Sequence, residues 1–104
     1  MNSKEIERIR KECRESENWQ DKNSKERQLY TEMCLRTMIM SCLTYGYNIY
    51  KSSYVTDYYE SLGEERTLEI CKEQEEYFKT KCRVEVGVYT DSEDVTYNRV
   101  IETE

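Results

Sequence analysis

Apolar side chains recur at helical intervals on two sides of residues 25–52. Leu29, Met33, Arg36, Met40, Leu43, Tyr47, Tyr50 and Tyr54 step alternately by four and three, a heptad seam broken once by Arg36. Leu35, Met38, Cys42, Tyr45 and Ile49 make a second seam on another side. Thr37, Ser41, Thr44 and Asn48 leave only a thin small-residue strip between them. A helix apolar on two sides must be covered on two sides. The pattern therefore predicts a long central helix, sandwiched within one chain or partly by a second copy, and a homodimer is the expected assembly. Gly46 interrupts this helix and marks a bend or a close crossing.

Other elements flank it. Ser3 is placed to cap a first helix over about 4–16, with Ile6, Ile9 and Cys13 on one narrow stripe. The polar stretch ESENWQDKNS follows, in which Trp19 is expected to anchor onto the core, with surface contact as the alternative role. Ser52 or Ser53 begins a short helix that ends at Leu62–Gly63. Glu64 opens a further helix to about Lys81, with Thr67, Ile70, Cys71, Gln74, Tyr77 and Phe78 facing inward. Val84, Val86 and Val88 then alternate along RVEVGVY, and Val95, Tyr97 and Ile101 along VTYNRVI, with the polar TDSED between. That is a β-hairpin, which is marginal alone and must lay its valine face on the helices. The class is α+β, with three or four helices before a C-terminal antiparallel hairpin. Its 104 residues form one domain, divided into a helix and linker (1–23), a helical core (24–81) and the hairpin with its tail (82–104).

Charge changes the picture of partners. Residues 1–27 carry eight Lys and Arg against seven Asp and Glu, and residues 28–104 carry eight against fifteen. A net charge of −6 repels phosphate backbones, so direct DNA binding is not expected, whereas a protein with a basic groove suits this field. No apolar run approaches the roughly 18 residues of a membrane span, so no membrane partner is expected and a cytoplasmic protein is anticipated. The five cysteines lack close pairs, which fits reduced thiols.

Composition excludes much chemistry. Without histidine there is no imidazole base and no Ser-His-Asp or Cys-His arrangement. The three glycines are scattered, so no phosphate-cradling loop exists. Neither metal nor cofactor is expected, and the chain is not expected to be an enzyme. What remains is binding. Glu65, Glu69, Glu73 and Glu76 form a carboxylate row on one helix, and Asp91, Glu93 and Asp94 a second acidic cluster in the hairpin turn. Trp19, Tyr50, Tyr54, Tyr58 and Tyr59 are the candidate aromatic contacts, since six tyrosines fall within residues 45–59.

Spaced carboxylates imitate phosphate charge, and tyrosines are rigid anchors. In small size, acidity, carboxylate rows and lack of a catalytic set, the chain resembles in general character the small phage-encoded counter-defence proteins, anti-CRISPR proteins among them. The resemblance implies an inhibitor of a host nucleic-acid-processing complex, working by protein contact or nucleic-acid mimicry in a bacterial cytoplasm. Two alternatives stand beside it. One is an oligomeric sponge that holds a small signalling nucleotide by tyrosine stacking, with Arg36, Lys51 or Arg66 on the phosphates. The other is a self-associating accessory domain.

Overall fold

The computed structural model describes all 104 residues except Lys22, Asp91, Asp94, Val95 and Glu104, and only the backbone of Val88 and Tyr89. Helices α1 (Ser3–Glu15), α2 (Lys25–Thr44), α3 (Ser53–Thr56), α4 (Tyr58–Leu62) and α5 (Glu64–Lys81) precede the antiparallel strands β1 (Cys82–Thr90) and β2 (Thr96–Glu102). The α+β order read from the sequence is therefore the fold. The expected short helix appears as two segments turned about Asp57, so that Val55 joins the core while Tyr58 and Leu62 pack against it.

The first helix is capped one residue earlier than expected. Asn2, not Ser3, supplies the cap, its side chain accepting from the Glu5 N–H at 2.8 Å. Ile6 and Cys13 are buried and Ile9 is half-buried, as the stripe requires. Ser24 caps α2 by accepting from Arg27 N–H at 3.1 Å.

The central helix is shorter than the seam suggests. It ends at Thr44, because Gly46 takes a left-handed φ of +79° and closes a Schellman motif. Gly46 N–H donates to Leu43 O at 3.2 Å, and Tyr47 N–H to Cys42 O at 2.8 Å. Tyr47, Tyr50 and Tyr54 therefore leave the seam they continue in sequence. A Cβ at Gly46 would meet nothing within 4 Å, so Gly46→Ala tests backbone strain alone. It should cost about 1 kcal/mol, read as a lower urea midpoint at unchanged slope; no change would mean that the turn relaxes without strain.

Both apolar sides of α2 meet other elements of the chain, although Leu29 near its start is 39% exposed. Helix α1 lies along Thr37 and Met40, while α5 packs where Glu32 and Arg36 reach across to it. Leu35, Ile39, Cys42, Ile49, Val55, Ile70 and Cys71 form one core cluster. Helix α5 has the bounds read from the sequence, with Thr67, Ile70, Cys71 and Gln74 buried. Gly63, at φ +85°, ends α4 and starts α5.

The hairpin departs from simple alternation. Pairs run from Cys82↔Glu102 to Glu85↔Arg99, slip, and resume at Tyr89↔Tyr97. The slip is a bulge around Gly87, whose φ is +66°. The expected continuous valine face is therefore broken: Val84 is half-buried, but Val86 is 81% exposed. Of Val88 only the backbone is described, and Val95 lies outside the described residues. Asn98 Nδ2 reaches Thr44 O at 3.4 Å, which ties β2 to the end of α2.

Candidate functional site

The tyrosines of residues 45–59 divide into two groups. Tyr45, Tyr47, Tyr50 and Tyr54 are 50%, 59%, 38% and 61% exposed, and crowd the turn that the Schellman stop creates. Tyr58 and Tyr59 are half-buried. Tyr58 packs on the core, where burial, and after it the neighbouring Cys34, raises its phenol above the ordinary value. The Tyr50 phenol is also raised, by burial first and then by Glu75 and Cys71, which places it beside α5.

Trp19 takes the anchoring role. Its ring meets Tyr30 edge-on, with centroids 4.5 Å apart, and the Arg27 guanidinium lies over it at 4.6 Å. Arg10 in turn lies over Tyr30 at 5.6 Å, so alternating cations and rings pin the linker and α1 onto α2.

Between Tyr47 and Tyr54 runs an open cleft of about 360 Å³, lined also by Asn48, Lys51, Ser52 and Ser53. Its floor is ordered by Asn48 Oδ1, which accepts from Tyr50 N–H at 3.0 Å. Ser52 stands at the cap position of α3 but its side chain makes no capping bond. Lys51 is exposed and enters no ion pair among the described residues.

The carboxylate row on α5 is less free than its spacing implies. Glu69 is held by Arg66 at 3.0 Å, and Glu73 by Arg36 at 2.7 Å. Arg66 also reaches buried Glu32, from Nε at 3.0 Å, and Arg36 Nη1 donates to buried Gln74 at 2.9 Å. Exposed Glu65 and Glu76 enter no such pair among the described residues. Glu93 is exposed, while Asp91 and Asp94 lie outside the described residues. Arg36 and Arg66, named as phosphate ligands for a nucleotide sponge, are occupied by these internal bonds.

Tyr45 and Tyr47 are exposed residues outside the aromatic contact set read from the sequence, while Lys51, named there for the phosphates of a nucleotide, lines the cleft. The signal was present in Gly46, a helix stop that turns the following side chains outward. Of the thiols, Cys13, Cys42 and Cys71 are buried and Cys34 and Cys82 half-buried, and burial pushes Cys71 up to about 11. Among the described residues no group of three or more metal-binding side chains converges, and no helix is long and apolar enough to cross a membrane. Compared with protein-family models, curated proteins and solved structures, the chain matches none.

Proposed function

We propose that this chain is a non-enzymatic binding protein that docks on a basic protein surface and thereby inhibits a host nucleic-acid-processing complex. The observation that carries this reading is the cluster Tyr45, Tyr47, Tyr50 and Tyr54, each between 38% and 61% exposed within ten residues of chain. Exposed aromatics gathered in one patch are characteristic of contact surfaces, where tyrosine is enriched among the residues that dominate binding. The acidic balance of −6 supplies long-range attraction to a basic partner.

The internal pairing of Glu69 and Glu73 recasts the mechanism. A phosphate-mimicking row would need all its carboxylates outward, and two of the four are already neutralised by arginines. Tyrosine anchoring with acidic steering is therefore better supported than mimicry. Glu65 and Glu76 provide the steering charge on α5.

The test is capture from a nuclease-treated bacterial lysate with wild type, Y45A/Y54A and E65K/E76K, followed by native mass spectrometry. Wild type should retain a nucleic-acid-processing complex. The tyrosine variant should lose at least about tenfold in affinity, as truncated interface anchors do. The charge variant should bind more slowly at low salt and approach wild type at high salt. Equal recovery with all three proteins, or a homodimer without partner, would sink the reading.

A further inference from the structure

We propose that the cleft between Tyr47 and Tyr54 is a small-ligand site for a planar aromatic ring joined to one anionic group, the chemistry shared by a nucleoside monophosphate and an aromatic carboxylate. This inference does not depend on the protein partner proposed above. Three observations carry it.

The cleft, at about 360 Å³, lies at the lower end of the range of small-molecule sites and is walled by two tyrosines. Phenol rings are stacking surfaces for any planar π-system, and a base stacks without regard to its identity. An aliphatic ligand of the same volume would leave that property of the walls unused.

Lys51 lines the same cleft. Its ammonium is exposed and enters no ion pair among the described residues, so it is free to meet an anion in the cleft. It supplies one positive charge, which balances one carboxylate and offsets half or more of the charge of one phosphomonoester, about −1.5 to −2. A polyphosphate would demand further cations, and Arg36 and Arg66 are bound to Gln74, Glu73, Glu32 and Glu69. The site is therefore selective for the smaller anion.

The polar edge is also present. Ser52 carries a hydroxyl that its helix does not use for capping, and Ser53 lies next to it on the cleft wall. Asn48 spends its carbonyl on Tyr50 N–H, which leaves its amide N–H₂ to donate to a ring nitrogen or carbonyl. Ring, anion and hydrogen-bonding edge are thus matched by adjacent residues of a single turn.

Titration of ¹⁵N-labelled protein with AMP, adenosine and indole-3-acetate, read by amide shifts, tests the proposal. AMP or indole-3-acetate at millimolar concentration should shift amides within residues 47–54. If only AMP does so the source is a nucleotide, and if only indole-3-acetate does so it is an aromatic carboxylate. Y47A and Y54A should each weaken binding by about tenfold, and K51A should remove the advantage of AMP over adenosine. All three side chains are exposed, so the variants keep the fold. Silence at residues 47–54 with both anionic ligands, or shifts that persist in Y47A/Y54A, would overturn the proposal. Because only purified protein is used, either result leaves the partner-capture experiment independent.

Discussion

Replacing Arg36 with alanine should destabilise the fold by about 2–4 kcal/mol, a large share of what a domain of this size has. Arg36 is 6% exposed and bridges α2 to α5, donating to Gln74 Oε1 at 2.9 Å and Glu73 Oε2 at 2.7 Å. Gln74 is wholly buried, and its Nε2 already has no hydrogen-bond partner among the described residues. Alanine would strand its oxygen too, and would remove the arginine stem from the interface. The paired change R36M/Q74L should recover most of the loss, because exchanging both polar partners for apolar groups of similar volume is close to neutral. Urea midpoints at constant slope decide the matter. An R36A variant within about 0.5 kcal/mol of wild type would show that the α2–α5 contact is held by the apolar cluster alone.

Stability should also fall steeply on the alkaline side, between about pH 9 and pH 11. Burial, and after it Glu75 and Cys42, raises the Cys71 thiol from 9.0 to about 11. Below pH 9 both folded and unfolded chains hold this proton, and the stability is fully present. As pH rises, the unfolded chain releases the proton first, so unfolding is increasingly favoured until the folded thiol also titrates near 11. A shift of this size corresponds to roughly 2–3 kcal/mol across the window. Cys13, Cys82, Tyr58 and Tyr77 are raised chiefly by burial as well, so their contributions have the same sign. Urea midpoints measured under reductant from about pH 8 upward should drop, and C71A should show a shallower decline despite a lower starting point. A flat profile through the window would mean that the core admits water at the thiol.

These expectations rest on elements whose legibility in sequence differed. Helix α5 was readable to its ends because local signals agreed. Gly63 breaks the chain, acids open the first turn, and the apolar face repeats at helical spacing through Phe78. At the end of α2 two signals disagreed. The three-and-four spacing runs on through Tyr47, Tyr50 and Tyr54, while Gly46 calls a halt. The glycine prevails because a Schellman closure satisfies the last carbonyls of the helix, and spacing alone satisfies none. Arg36 within a seam signalled a buried charge in need of partners, but only the tertiary contact reveals that Glu73 and Gln74 answer it. That pairing engages Glu73, as Arg66 engages Glu69, so two carboxylates of the row are paired within the chain. Gly87 likewise hinted at a bulge, yet the sliding of register that exposes Val86 depends on which residues face each other across the hairpin.

The stack of Arg10, Tyr30, Trp19 and Arg27 has an optical consequence. Trp19 is the one tryptophan in the chain, and its indole rests against a ring of α2 that a side chain of α1 also covers. Its emission therefore responds to the docking of α1 and the linker, not to events at the hairpin or the exposed tyrosine turn. Far-ultraviolet circular dichroism follows all the helices at once, so coincidence of the two signals during unfolding would establish that the N-terminal helix melts together with the core. Separation of the two would identify α1 as a unit that opens first.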